Sequence, residues 1–154
     1  LARPVGALAH EGAAQRQLQQ WEPAAANLTR SLALLLEESA FDHACATLTQ
    51  LIFLHIDQEN ESETMRNSAH LWQLLHNGRL DGTNAEPIKA WWACYRGLQL
   101  IGDPRADEAF HTAAELFQTQ LTHIQDQEWK QDFTYQITEH QELFQAIQLA
   151  RGTL

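Results

Sequence analysis

The stretch from Trp91 to Asp132, WWACYRGLQLIGDPRADEAFHTAAELFQTQLTHIQDQEWKQD, leaves this chain few choices of fold. It carries two helix-period segments joined by a corner, Gly102-Asp103-Pro104. In the second segment Ala106, Ala109, Phe110, Ala113, Leu116, Phe117, Leu121 and Ile124 recur in steps of three and four, which puts them on one helix face. Small residues at one level and bulky ones at the next let two helices approach closely and interdigitate. Each residue of the corner has its own task. Gly102 ends the first helix, Asp103 caps the second, and Pro104 takes its first position, where a missing N–H costs nothing.

The same periodicity runs along the rest of the chain and predicts an all-α fold, about seven helices plus a short one, stacked as antiparallel hairpins. The first helix is expected over Val5 to Gln19. Pro23 suits the first turn of a second, which runs to about Glu38 with Leu28, Leu32 and Leu35 inward. Ser39 and Asp42 offer caps for a third, Phe41 to about Ile56, whose stripe is Phe41, Ala44, Cys45, Leu48, Leu51, Ile52 and His55. Asn60 with Glu63 suggests a capping box before the fourth, Met65 to His76, with Gly78 as its stop. Leu80 to Glu86 (LDGTNAE) is rich in turn formers and reads as a linker between an N-terminal part, residues 1–79, and a C-terminal part, residues 87–154. Pro87 opens the fifth helix, which ends near Ile101, and the sixth runs to about Ile124. Asp126 caps a short helix to about Tyr135, and Thr138 with Gln141 opens the last, Glu139 to Arg151, ended by Gly152.

Charge and motif exclude several functions. Ten Lys and Arg against twenty Asp and Glu give a formal charge of −10, and only two lysines are present, Lys89 and Lys130. A groove that grips phosphates must be locally basic, so nucleic-acid binding by this domain is not expected. No apolar run is long enough to cross a bilayer and no secretory signal is visible, which predicts a cytoplasmic domain without a membrane role. The start at Leu1 reads as an excision from a longer polypeptide. The scattered glycines form no phosphate-binding loop, and no Gly-x-Ser-x-Gly elbow occurs. No two of the eight histidines stand three or four apart, the spacing two metal ligands need on one helix. Glu108 and His111 form a lone Glu-x-x-His, whereas a carboxylate di-metal bundle needs two such pairs and more acids. Cys45 and Cys94 lie on apolar faces and read as small buried hydrophobes; apolar surroundings raise a thiol's pKa and make it inert. No catalytic residue, cofactor or metal is expected.

Trp21 to Leu34, WEPAAANLTRSLAL, resembles the second half of a tetratricopeptide repeat (TPR), with Trp21, Ala24, Leu28, Ser31 and Leu32 in the family's places and Gly12 at its helix-A glycine. Residues 87–150 resemble the closing helices of the arrays in bacterial STAND-class signalling ATPases and related transcriptional regulators. The matching features are Trp91, Trp92 and Tyr95; Gly102-Asp103-Pro104; Ala106, Ala109 and Ala113; Ile124-Gln125-Asp126; Phe133; and His140. The resemblance implies a right-handed, TPR-like α-solenoid that senses or scaffolds, with a concave groove and a last helix that caps the stack.

Within that frame the adjacent pair Trp91-Trp92 stands out. Neighbours on a helix lie about 100° apart, so one Trp is expected in the core and the other at a boundary or in the groove. Trp92 with Arg96, one turn on, is the expected anchor for a partner, since Trp and Arg dominate binding hot spots. Arg66, His70 and Gln73 form a second polar stripe that could line the same groove. The expected partner is a protein or peptide segment, or neighbouring domains of the same chain. An alternative reading is a closed helical bundle that binds a small ligand or metal between its helices. A third is homo-oligomerisation through an exposed end of the array.

Overall fold

A computed structural model describes residues 21–77 and 86–152. Among the described residues seven helices follow in order: α1 Trp21–Glu37, α2 Phe41–Asp57, α3 Glu61–His76, α4 Pro87–Leu100, α5 Ala106–His123, the short α6 Gln127–Tyr135, and α7 Thr138–Gly152. Among the described residues there is no strand, so the all-α expectation holds. The expected helix over Val5 to Gln19, the stop at Gly78 and all of the linker except Glu86 lie outside the described residues.

The corners differ more from expectation than the helices do. Gly102 sits at φ 72, donates to the Gln99 carbonyl and is followed by Asp103 N–H on the Leu98 carbonyl, the doubly bonded left-handed helix stop. The same stop closes α1 and α2, but with side-chain-bearing residues. Ser39 at φ 57 and Glu59 at φ 56 occupy the left-handed position, and Ala40 and Asn60 reach back to the Leu35 and His55 carbonyls. Ser39 is therefore the end of α1 rather than a cap of α2, whose N-cap is Ala40 with no side-chain bond. Asn60 does cap α3, accepting from Glu63 N–H at 3.2 Å, but its own N–H is spent on the His55 carbonyl, and Glu63 pairs with Arg66 instead of closing the box. Helix α5 starts at Ala106, two residues beyond Pro104. Asp103 still caps the turn that leads into it: its Oδ1 accepts the Arg105 backbone N–H at 2.9 Å, and its Oδ2 takes the guanidinium at 2.7 Å. Asp126 caps α6 through Trp129 N–H as expected, whereas α7 begins at Thr138 itself.

Each helix packs on the next through α1 to α5, and α6 packs on α7. Beyond these neighbours, α2 touches α4, and both α4 and α5 touch α7. Helix α4 is thus surrounded by α2, α3, α5 and α7. Its closest approach is at Gly97, where an added Cβ would lie 1.9 Å from Ser68 Oγ, 3.1 Å from Ser68 Cβ and 3.3 Å from Ile52 Cγ2. Absence of a side chain at Gly97 lets α4 sit against α2 and α3 at once. One continuous core links Leu48, Ile52, Leu71, Trp91, Phe117 and Leu143, and a smaller cluster of Ala24, Leu28, Leu51 and Leu54 joins α1 to α2.

Candidate site at the first turn of α4

The surroundings of α4 decide what its aromatics do. Trp91 faces α3, edge-on to Trp72 with centroids 5.7 Å apart and to His76 at 5.5 Å. Trp92 faces α7, where its Nε1 donates to Glu142 Oε2 at 2.9 Å. Both indoles are buried, Trp91 at 9% and Trp92 at 4% exposure. The expectation that one would lie at a boundary fails because α4 has a packed neighbour on each of the sides the two side chains point to. Arg96 Nη1 lies 3.5 Å from the same Glu142 oxygen. A carboxylate from α7 of this chain thus meets both Trp92 and Arg96.

The other three sequence-predicted residues sit on α3. Arg66 is exposed and paired with Glu63, His70 is half-buried with its pKa pushed below the ordinary imidazole value by burial, and Gln73 is exposed. Glu142 joins Trp92 to Arg96, whereas no hydrogen bond or ion pair joins either of them to the trio on α3.

Two concavities flank the first turn of α4. One, of about 170 Å³, lies between α2 and α4, with Asp42, Cys45, Thr49 and Gln50 on one wall and Lys89 and Ala90 on the other. The second, of about 290 Å³, lies between α4, α5 and α7 and is lined by Glu86, Ile88, Lys89, Gln120, Ile137 and His140. For scale, an apolar cavity of about 150 Å³ admits benzene. Lys89 lines both. Its Nζ lies 3.6 Å from Glu86 Oε2 and 3.7 Å from Glu139 Oε1, and its side chain is 25% exposed. These ion pairs are longer than hydrogen bonds, so the ammonium is placed between two carboxylates without being locked to either.

His140 lines the second cavity and is 8% exposed. Its ring packs on Phe133 at 4.4 Å and on Phe117 at 5.8 Å, and its Nδ1 is 2.8 Å from the Phe133 carbonyl. In the neutral ring Nδ1–H donates to that carbonyl, which leaves Nε2 as an acceptor. Burial lowers the His140 pKa; the Phe133 carbonyl and the nearby Glu139 and Glu86 partly offset this.

Other reactive groups are quiet. The buried thiols Cys45 and Cys94 are both pushed up to about 12, mainly by burial, so neither is a nucleophile at neutral pH. Glu108 and His111 do not converge: His111 Nδ1 meets the Asp107 carbonyl, and Glu108 lies 3.5 Å from His76. Among the described residues no group of three or more His, Cys, Asp or Glu could hold a metal ion, and no helix is long and apolar enough to cross a membrane.

Sequence reasoning missed Lys89, Glu142 and His140 as members of one neighbourhood. Lys89 had a signal, being one of two lysines in an acidic chain. Glu142 had none, because its partners lie 46 and 50 residues away. No protein-family model, no curated protein and no solved structure matches this chain.

Proposed function

We propose that the chain is a non-enzymatic helical-repeat module that holds a protein segment along the face shared by α2, α4 and α7. The observation that carries this reading is the alternation of contacts. Helix α4 touches both α2 and α7, while α3 packs on its neighbours in the chain, α2 and α4. In a TPR-like, right-handed stack the inner helices touch in this way and line the concave side. Both cavities open beside α4, the middle inner helix of such a stack. In this reading α6 is a short insertion before the closing helix, and Trp92, Arg96 and Glu142 fix the last inner helix to the one before it. The module would serve a bacterial signalling or transcription regulator in the cytoplasm, either by capturing a partner or by contacting neighbouring domains.

The test is a photo-crosslinking amino acid at Ala46, which is exposed beside the α2–α4 cavity, compared with one at Met65 on α3. A discrete adduct from Ala46 and none from Met65 is the expected result. Equal labelling from both positions, or from neither, would remove the inner-face reading. A second reading, a small ligand held between helices, is favoured by the volume of the α4–α5–α7 cavity and the buried His140 in its lining.

A further inference from the structure

We infer that the cavity between α4, α5 and α7 is a binding site for an alkylammonium group, with His140 Nε2 as an acceptor in its lining and Glu86 and Glu139 beside it. The inference does not depend on the capture of a protein segment, since it concerns the lining of one cavity and is tested with purified protein.

Three observations converge. The cavity, at about 290 Å³, has room for several non-hydrogen atoms, and its apolar wall of Pro87, Ile88 and Ile137 suits a short alkyl chain. Of the polar side chains that line it, His140 is more than nine-tenths buried, and its Nδ1 is taken by the Phe133 carbonyl. Its Nε2 has no hydrogen-bond partner among the described residues, and the residue is part of the cavity lining, which leaves that acceptor open to a ligand. The charges around it favour a cation. Glu86, the N-cap of α4, and Glu139 on α7 carry two negative charges against the one positive charge of Lys89, α5 contributes the neutral Gln120, and α6 contributes the Phe133 carbonyl. Lys89 shows what the site tolerates: a primary ammonium already rests between the two carboxylates. An anionic ligand would meet both carboxylates and a chain of charge −10.

Protons and a cation compete in this cavity. A protonated His140 presents N–H and positive charge where the neutral ring presents a lone pair. Amine binding therefore weakens as His140 takes up a proton, and by reciprocity bound amine lowers the His140 pKa further.

The experiment titrates the intact chain with n-butylamine, with butyrate as the anionic control, by calorimetry and by NMR of the His140 ring. At about pH 8 n-butylamine is expected to bind with a dissociation constant on the order of 1 mM, as befits so few atoms, and at least about tenfold more tightly than butyrate. Glu86→Gln removes one carboxylate and weakens n-butylamine about threefold to tenfold; Lys89→Met removes the competing ammonium and strengthens it by a similar factor. His140→Phe keeps an aromatic ring against Phe117 and Phe133 and abolishes binding together with its pH dependence. Saturating n-butylamine shifts the His140 ring titration to lower pH. Binding of butyrate as tightly as n-butylamine, loss of binding in Lys89→Met, an unmoved His140 titration, or no binding of either probe would each overturn the assignment. A capped Gly-Gly-Lys-Gly-Gly peptide separates the two sources of the group: stronger binding than n-butylamine supports capture of a partner's lysine, and weaker binding supports a free amine.

Discussion

Helices α2 and α6 are the two extremes of this molecule. Most of the 17 residues of α2 are buried, whereas in the nine of α6 only Thr134 is. Helix α2 packs on α1, α3 and α4; α6 packs on α7 and reaches α5 mainly through Phe133, which stacks on Phe117 at 5.4 Å. Trp129 and Tyr135 of α6 are 69% and 53% exposed. In a stack built from neighbour contacts, local stability follows the number of covered faces. The α2 region should therefore open only with the whole molecule, and α6 should open alone.

The largest test of that contrast is Leu48→Ala in α2. Leu48 is fully buried, so the substitution should cost about 2–5 kcal/mol in urea unfolding and shift every spectroscopic probe together. A transition confined to one region would break the comparison.

Gly97→Ala should come next, at about 1–3 kcal/mol, because the new methyl meets Ser68 Cβ and Ile52 Cγ2, both fixed to packed helices. Ser68 Oγ is buried without a hydrogen-bond partner, so adding Ser68→Ala should recover part of the loss. Urea midpoints of the single and double variants measure this coupling.

Acid sharpens the contrast. The folded-state pKa values of His55, His70 and His140 are all lowered, mainly by burial. Their stabilisation is complete above the ordinary value of 6.5 and is lost as the pH falls through the lowered folded values. Hydrogen exchange, corrected for intrinsic rates, should show α6 and the first turn of α7 opening first, and His140→Gln should flatten that acid response while leaving α2 unchanged.

Smaller effects are expected at the two left-handed corners. Ser39→Gly and Glu59→Gly should each stabilise by about 1 kcal/mol, since φ values of 57 and 56 strain any residue with a Cβ. Trp129→Ser should change stability by less than about 0.5 kcal/mol, because most of the ring already faces water. Thermal melting resolves the first pair; a large loss from the second would show that α6 is better buried than described.

The helices were legible in the sequence because their apolar steps and punctuation, Pro87, Gly102-Asp103 and Asp126, act within a few residues. The stops at Ser39 and Glu59 were not, since nothing about Ser or Glu signals a left-handed backbone; the chain adopts it there because two helices must turn back on each other. Burial of both Trp91 and Trp92 was equally hidden. Periodicity tells which side chains share a face, but not how many neighbours surround the helix. The candidate site was legible only in part: Trp92 and Arg96 do belong together, yet Glu142 and the His140 cavity arise from distant segments that no local pattern joins.

The distribution of indoles also gives the protein a built-in optical label. Trp91 and Trp92 are enclosed by apolar and aromatic neighbours, whereas the ring of Trp129 is largely hydrated. Buried indoles emit at shorter wavelength than hydrated ones, so light collected at the red edge of the emission band is enriched in that from Trp129 of α6. Motion of the least covered helix can then be followed in the unmodified chain, without a dye or an added cysteine.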